Sequence, residues 1–359
     1  NGQANLNGST IDTASAQTYN GAVVLGADTI LTSTDSGNIT FNSTLNGAQT
    51  LAVNTAGTTT FGGAVGGTAA LTSLTTDVGG AVAINGGAVT TTGAQSYGEA
   101  ATLGANTILT SSGAGDIGFT DTLNGAKTLT INTTGATTFG GAVGGTTALT
   151  SVTTDVGGSV AMNGGSIKTT GAQSYGEAVT LGVNTTLTST GAGDIGFADT
   201  LNGAKTLTIN TAGATTFGGI VGGTAALSSV TTDAGGTVAI NGGAVTTTGA
   251  QSYGEAATLG ADTTLTSTGS GDIGFNSTLN GAKALTINTA GITTFGGAVG
   301  GTAALTSVTT DVGGTVAING GAVTTSGAQS FAEAVTLGAN TILTSTGAGD
   351  IGFTNTVDG

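Results

Sequence analysis

The segment Leu129-Thr-Ile-Asn-Thr-Thr-Gly-Ala-Thr-Thr-Phe-Gly-Gly141 contains the two features that decide the fold. Apolar and polar residues alternate at its start, as they do in a strand with one buried face. Asparagine and glycine then interrupt the alternation, which indicates turns between short strands. Gly-Gly pairs recur along the whole chain and would break a helix. The segment therefore predicts short strands and no helices.

The same segment recurs at a constant 78-residue spacing. Its Thr-Phe-Gly-Gly motif places an aromatic residue at Phe61, Phe139, Phe217 and Phe295. A second aromatic position has the same spacing: Tyr19, Tyr97, Tyr175, Tyr253 and Phe331. The 359 residues thus contain about 4.6 copies without an insertion or deletion. A constant period indicates copies stacked in register rather than domains joined by linkers.

A finer period lies inside each repeat. One aliphatic position recurs in steps of 20, 20, 20 and 18 along the chain. Its members are Ile11, Leu31, Leu51, Leu71, Val89, Leu109, Leu129, Leu149, Ile167, Leu187, Leu207, Leu227, Val245, Leu265, Leu285, Leu305, Val323 and Leu343. Four such steps make one repeat. Each repeat is therefore predicted to be four small coils.

Coils of this length, each with two or three short strands, are typical of a parallel β-helix. We predict an all-β fold, a parallel β-helix (β-solenoid) that we expect to be right-handed. It would have about 18 coils of 18–20 residues and form a single continuous domain over residues 1–359. Stacking would join the aliphatic positions into one structural core ladder. The alternative is a string of immunoglobulin-like sandwiches, but such domains need no internal 20-residue period.

Aromatic residues fall ten positions after members of the aliphatic series, so consecutive coils should stack them inside the core. The predicted stacked pairs are Phe41/Phe61, Phe119/Phe139, Phe197/Phe217 and Phe275/Phe295. An offset pair contributes about 0.5–1.5 kcal/mol. Core packing is the default interpretation, and a platform that stacks on sugars is the functional alternative.

The composition excludes most site chemistry. The chain has no His, Cys, Pro or Trp, and its four basic residues are all Lys. An ordinary zinc site, a haem ligand, a Ser-His or Cys-His nucleophile and a disulfide are therefore excluded. A net charge of −15 makes nucleic acid and anionic membranes poor partners. No apolar run approaches the ~20 residues of a membrane-crossing helix, so we expect no membrane insertion.

Two sets of aspartates follow the repeat. They are Asp116, Asp194, Asp272 and Asp350, and Asp77, Asp155, Asp233 and Asp311. Members of one set would lie four coils, about 19 Å, apart. Calcium needs six to eight oxygens at about 2.4 Å, so no cofactor or metal is expected within the chain, while calcium between chains stays open.

Enzymatic activity is not expected. Asp116 with Asp121, and Asp194 with Asp199, could form hydrolytic carboxylate pairs. The third copy lacks the second acid of the pair, and no inserted loop builds a cleft. Gly113-Ala-Gly-Asp-Ile-Gly118 matches the dinucleotide fingerprint, but that site needs a following helix, so we interpret the segment as a turn.

The repeated segment Leu129–Gly141 resembles the β-helical repeats of filamentous-haemagglutinin-type adhesins and autotransporter passengers of bacterial surfaces. The resemblance covers essentially the whole chain and consists of repeat length, a Gly/Thr/Asn/Ala bias and the missing cysteine. It implies export, an extracellular or cell-surface location, and adhesion or matrix assembly, with host or neighbour-cell glycans as partners. The family's secretion domain contains Asn-Pro motifs, which this chain lacks.

The repeats themselves predict a structural role. Asn1-Gly2-Gln3 has no initiator Met, so we interpret the sequence as part of a longer product. Terminal coils normally need a polar cap, yet Ile11 and Leu343 keep the pattern almost to the ends. Unpaired strand edges pair with other chains, so copies of the chain itself are the expected partner, stacking end to end into a filament, sheath or matrix. The alternative is the stalk of a secreted or autotransported adhesin that presents a binding tip.

Overall fold

The structure, a computed structural model, describes residues 2–359 as short β-strands joined by turns. The chain divides into two compact units, unit 1 (Asn1–Glu177) and unit 2 (Ala178–Gly359). The strands of unit 1 are β1 Ala4–Leu6, β2 Thr10–Thr13, β3 Gln17–Tyr19, β4 Val23–Leu25, β5 Thr29–Ser33, β6 Ile39–Phe41, β7 Leu45–Asn46, β8 Thr50–Thr55, β9 Thr58–Phe61, β10 Ser73–Thr76, β11 Ala81–Ile84, β12 Ala88–Thr91, β13 Gln95–Tyr97, β14 Ala100–Leu103, β15 Thr107–Ser111, β16 Ile117–Phe119, β17 Leu123–Asn124, β18 Thr128–Thr133, β19 Ala136–Phe139, β20 Ser151–Thr154, β21 Ser159–Met162, β22 Ser166–Thr169 and β23 Gln173–Tyr175. The strands of unit 2 are β24 Ala178–Leu181, β25 Thr185–Ser189, β26 Ile195–Phe197, β27 Leu201–Asn202, β28 Thr206–Thr211, β29 Ala214–Phe217, β30 Ser229–Thr232, β31 Thr237–Ile240, β32 Ala244–Thr247, β33 Gln251–Tyr253, β34 Ala256–Leu259, β35 Thr263–Ser267, β36 Ile273–Phe275, β37 Leu279–Asn280, β38 Ala284–Thr289, β39 Ile292–Phe295, β40 Ser307–Thr310, β41 Thr315–Ile318, β42 Ala322–Thr325, β43 Gln329–Phe331, β44 Ala334–Leu337, β45 Ile342–Ser345, β46 Ile351–Phe353 and β47 Val357–Asp358.

Within each unit the strands form three parallel ladders, and the chain visits the three in turn. In unit 1 these are ladder A (β2, β5, β8, β10, β13, β16, β19, β21), ladder B (β3, β6, β9, β11, β14, β17, Val143, β22) and ladder C (β1, β4, β7, Val65, β12, β15, β18, β20, β23). In unit 2 they are ladder D (β24, β27, Val221, β32, β35, β38, β40, β43, β46), ladder E (β25, β28, β30, β33, β36, β39, β41, β44, β47) and ladder F (β26, β29, β31, β34, β37, Val299, β42, β45). The four valines each join their ladder through single-residue bridges. The predicted all-β parallel β-solenoid is confirmed.

The turn is longer than the sequence period suggested. Thr29 pairs with Leu51 and Leu31 with Val53, so the register advances by a 22-residue step here. Turns of about 22 residues replace the predicted 18–20, and the two units contain about 16 turns rather than 18. One 78-residue repeat contains eleven ladder positions, such as β5 to β14 plus Val65. Because three positions complete a turn, a repeat winds through about three and two-thirds turns, not four.

The prediction of one continuous aliphatic ladder is therefore wrong. Equivalent residues of consecutive repeats lie on different ladders of a unit, because a repeat is not a whole number of turns. In unit 1, Ile11, Leu31 and Leu51 lie in ladder A, Leu71, Val89, Leu109 and Leu129 in or beside ladder C, and Leu149 and Ile167 in or beside ladder B. In unit 2, Leu187 and Leu207 lie in ladder E, Leu227, Val245, Leu265 and Leu285 in or beside ladder D, and Leu305, Val323 and Leu343 in or beside ladder F.

These aliphatic residues nevertheless point into the solenoid. All from Leu31 to Val323 are buried, while Ile11 and Leu343 are half-buried. Side chains alternate between the two faces of a strand, so a register error of two positions keeps every inward residue inward. Leu109 in fact pairs with Ile131, and Leu129 pairs with Thr107. The core composition was thus readable, and some predicted neighbours do pair, such as Ile11 with Leu31 and Val89 with Leu109.

The aromatic residues stack inside the units. The centroids of Phe41 and Phe61 lie 5.6 Å apart and those of Phe119 and Phe139 lie 6.3 Å apart, with nearly parallel rings. The corresponding distances are 5.9 Å for Phe197/Phe217 and 6.3 Å for Phe275/Phe295. Tyrosines extend such stacks: Tyr19 lies on Phe41 (5.1 Å), Tyr97 on Phe119 (5.0 Å) and Tyr253 on Phe275 (5.1 Å). Each tyrosine precedes its partner by one 22-residue turn, so a 20-residue period did not reveal the contact.

Buried hydroxyl groups close the corners between ladders. The Ser111 hydroxyl accepts the N–H of Gly115 at 2.9 Å. The Thr133 hydroxyl donates to the carbonyl of Gly115 at 2.7 Å and accepts the N–H of Gly135 at 3.0 Å. These bonds satisfy backbone groups that no strand partner reaches. Serine and threonine at the strand ends therefore build the turns as well as the strands.

Candidate functional site

The segment Gly113–Gly118 is a corner, not a phosphate cradle. Ala114 has a φ of 64°, and strand β16 begins at Ile117. A dinucleotide site would place a helix N-terminus there to hold the pyrophosphate. A strand in that place removes the feature that gives the fingerprint its chemistry.

The aspartates of the candidate hydrolytic pairs, and Asp272 of the third copy, bond the backbone. Oδ1 of Asp116 accepts the N–H of Ala136, one turn later, at 2.8 Å. The equivalent bonds join Asp194 to Ala214 at 2.7 Å and Asp272 to Ile292 at 2.8 Å. Asp121 and Asp199 each accept the N–H of the residue that follows them at 2.6 Å. These side chains stabilise corners.

The second aspartate set does not form the predicted ladder. Asp77 follows β10 of ladder A, whereas Asp155 follows β20 of ladder C. Asp233 and Asp311 likewise follow strands of ladders E and D. The cause is again the fractional number of turns in a repeat. The estimate of four whole coils between members is therefore wrong.

Four glutamates are the least expected feature of the core. The chain contains only four, and all occupy one position of the repeat: Glu99, Glu177, Glu255 and Glu333. Each is at most 2% exposed. Glutamate is rarely buried so completely without a partner. Sequence reasoning missed them, although their 78-residue spacing and the preceding Gln-Ser-Tyr/Phe motif were visible.

Each glutamate lies one turn after an aspartate of the second set. Strand β10 pairs with β13 so that Thr76 lies beside Tyr97, which brings Asp77 next to Gly98 and Glu99. A Cβ on Gly98 would lie 2.3 Å from the carbonyl oxygen of Asp77, so the two backbones are in close contact. The Gly98 N–H also donates to the Thr76 hydroxyl at 3.3 Å. The corner therefore brings the backbones at Asp77 and Gly98 together, directly beside Glu99.

The second pair, Asp155 with Glu177, shows most clearly how the corner changes a pKa. Burial, and next the neighbouring Asp155 carboxyl, raise the pKa of Glu177 to about 8. No N–H or O–H group of the described residues donates to its two buried oxygens. Oδ1 of Asp155 accepts the N–H of Thr133 at 3.2 Å. The proton of this pair therefore belongs on the glutamate.

The fourth pair repeats this arrangement. Burial and the Asp311 carboxyl raise the pKa of Glu333 to about 8, against a smaller opposing effect of the Thr310 hydroxyl. Oδ1 of Asp311 accepts the N–H of Thr289 at 3.3 Å. The Asp155–Glu177 and Asp311–Glu333 pairs, which lie in different units, thus have the same arrangement. The aspartate bonds the backbone of the preceding turn, and the glutamate carries the proton.

The first and third pairs differ in the aspartate, because Oδ1 of Asp77 and of Asp233 is buried without a hydrogen-bond partner. Burial again raises the pKa of Glu99 and of Glu255, while threonine hydroxyls one turn earlier lower it in part. The Thr232 hydroxyl donates to Oε2 of Glu255. A hydroxyl donor stabilises the ionised carboxylate. The pKa values of Glu99 and Glu255 are therefore also raised, and hydrogen bonds to these carboxyls offset part of the rise.

Paired carboxyls can hold a proton or contribute to a cation site. No cluster of three or more acidic, histidine or cysteine ligands occurs in residues 2–359. Calcium requires more oxygens than one aspartate and one glutamate supply. Two adjacent carboxyls in a site closed to water share a proton, because ionising both is costly. The arrangement fits proton storage best.

A second buried polar group accompanies each glutamate. Nε2 of Gln95 donates to the carbonyl of Thr110 at 2.9 Å, and Oε1 accepts the Tyr97 hydroxyl at 3.0 Å. In the fourth copy Phe331 replaces the tyrosine, and Oε1 of Gln329 is buried without a partner. An unpaired buried acceptor costs free energy. The fourth copy therefore contains an unsatisfied acceptor, and the tyrosine of the first three copies is the side chain that would satisfy it.

Phe331→Tyr is expected to stabilise the chain by about 1 kcal/mol, because it supplies the missing donor. Tyr253→Phe, which removes the Gln251 partner at 3.1 Å, should destabilise by a similar amount. The urea unfolding midpoint of each variant measures both effects. Unchanged midpoints in both would show that these buried bonds contribute nothing.

Residues 2–359 form no helix of the length and hydropathy that a membrane crossing requires. No family model matches the chain. No curated protein and no solved structure matches it either. The fold and the four carboxyl pairs are therefore the observations on which a function must rest.

Proposed function

We propose that the chain is a non-catalytic structural protein of the cell surface or extracellular space. In this role the β-solenoid is the shaft of a filament, sheath or matrix and assembles end to end with copies of itself. The supporting observation is uniformity: within each unit every turn is built from the same three ladders, without an inserted loop. Binding and catalytic sites usually depend on such loops.

Uniform turns suit a mechanical role. Parallel ladders give inner strands backbone partners on the turns before and after, and buried aliphatic and aromatic side chains fill the interior. Each fully buried Leu or Val contributes on the order of 1.5–3 kcal/mol. Stability then grows with each added turn, as in other solenoids. A long chain can therefore become stiff by repeating one short sequence.

The last turn of unit 2 exposes apolar side chains. Phe353 is 37% exposed and Val357 43%, whereas Phe275, at the equivalent position one repeat earlier, is fully buried. One further turn of the same kind would cover this surface. A second copy, or further repeats of the same chain, has the chemistry to supply that turn. The extended strands also offer unpaired backbone groups for it.

Negative-stain electron microscopy of the purified chain tests the proposal. We expect filaments that lengthen with protein concentration at physiological salt, where charge repulsion is screened beyond about 8 Å. Phe353→Asp should abolish them, because it places a charge on the end surface. Val312→Asp, at a side chain that is 87% exposed, is the matched control and should leave filaments intact. Uniform monomers of the unmodified chain would contradict self-assembly.

The alternative is an adhesin stalk that presents a binding tip. Its support is the resemblance of the repeats to those of filamentous-haemagglutinin-type adhesins and autotransporter passengers of bacteria. A uniform shaft suits a stalk as well as a polymer. A glycan array distinguishes the two: selective binding by this chain supports adhesion, and filament formation without glycan binding supports the structural role.

A further inference from the structure

The glutamates face no cation among the described residues of their own unit. In the turn after Glu99, the register of β14 with β17 places Asp121 opposite it. Ser277 lies opposite Glu255, and Asn355 opposite Glu333, by the equivalent registers. On the preceding turn each glutamate meets its aspartate. The groups that face Glu99, Glu255 and Glu333 are therefore acidic or neutral, and none of them can neutralise a second negative charge.

We propose that the Asp155–Glu177 and Asp311–Glu333 corners each hold one proton at neutral pH, and that losing these protons in mildly alkaline solution loosens the solenoid at those corners. The geometry supports this: each glutamate is at most 2% exposed, and beside Glu177 a Cβ at Gly176 would lie 2.2 Å from the carbonyl oxygen of Asp155, so the two turns are in close contact there. Ionising a second buried carboxyl in that position adds repulsion and desolvation together. The inference concerns stability and is independent of the proposed function.

The direction of the pH effect follows from linkage. A glutamate in the unfolded chain has a pKa of about 4.3, whereas the folded pKa of Glu177 and of Glu333 is about 8. Between these values the folded chain binds more protons than the unfolded chain, so stability falls as pH rises. The contribution is fully present below the unfolded pKa and is lost above the folded pKa. This trend is opposite to ordinary acid denaturation.

Selective ¹³C labelling of glutamate tests proton storage directly, because the chain has only four glutamates. The Cδ shifts are followed from pH 4 to 10 in EDTA, and then with calcium chloride. We expect all four midpoints above the usual glutamate range, two of them near 8, and no change with calcium. Midpoints near 4.3, or midpoints that calcium moves towards that value, would overturn the proposal.

Urea unfolding at pH 5 and pH 9 tests the effect on stability. The unmodified chain should have the lower midpoint at pH 9. The double variant Glu177→Gln, Glu333→Gln should lose most of this difference, because its amides do not titrate. Asp35→Asn, at an exposed turn, is the control and should retain the difference. An equal or higher midpoint at pH 9 in the unmodified chain would overturn the proposal. If the double variant does not fold, the NMR titration still decides.

Discussion

Gly144→Ala is expected to destabilise unit 1 by about 3 kcal/mol or more, lowering its urea unfolding midpoint accordingly. Gly144 has a φ of +70°, a region that L-residues adopt only at a cost. A Cβ there would lie 2.1 Å from the carbonyl oxygen of Lys168 and 3.1 Å from Cα of Ala148. The clash is with backbone atoms, so relief requires the neighbouring turn to move.

The adjacent Gly145→Ala is the matched control. The nearest atom to a Cβ at Gly145 would be the Cβ of Ala142, 3.7 Å away. The φ of Gly145 lies outside the left-handed region. We expect a change within about 0.5 kcal/mol. Equal effects at the two positions would show that the corner is not packed as described.

Phe119→Ala is expected to cost about 3–5 kcal/mol, because it leaves a cavity between two stacked rings. Phe119 lies 5.0 Å from Tyr97 and 6.3 Å from Phe139, centroid to centroid. The parallel turns on either side have fixed spacing, so the gap cannot close by local collapse. Thermal and urea unfolding both measure the loss.

Phe353→Ala is the control for the stack. Phe353 contacts one ring, that of Phe331 at 5.3 Å, and is partly exposed in this chain. Its removal should cost well under half of the Phe119 effect. A similar loss at both positions would contradict a stack held by its neighbours on both sides.

Short strands, buried aliphatics and stacked phenylalanines were readable from the sequence because alternation and spacing report them directly. The register was readable only in part: Ile11 pairs with Leu31 as its spacing predicts, but Leu109 does not pair with Leu129. The series through Leu109 and Leu129 follows the repeat, while the turn is set by where corners close, which places Leu109 beside Ile131. Because inward positions recur at every second place along a strand, a register error of two leaves the burial pattern unchanged.

The carboxyl pairs escaped prediction for a related reason. Asp77 and Glu99 are separated by one 22-residue turn, and a 20-residue turn does not bring them together. The aspartates were instead compared with each other from one repeat to the next, where the fractional turn places them on different ladders. The available signal was that glutamate occurs once per repeat and only four times in the chain, which indicates a structural role for that position.

Disulfide cross-linking tests the winding most directly, because the chain has no native cysteine. Thr110 pairs with Asn132, and both side chains face outward. Residues paired in this way fall within the Cα separation of about 4.4–6.8 Å that a disulfide needs, whereas Thr110 and Thr130 are offset by two positions along the strand. The solenoid predicts that Thr110→Cys with Asn132→Cys oxidises readily and that Thr110→Cys with Thr130→Cys does not. Preferential cross-linking of the second pair would contradict the 22-residue register and with it the fractional turn of each repeat.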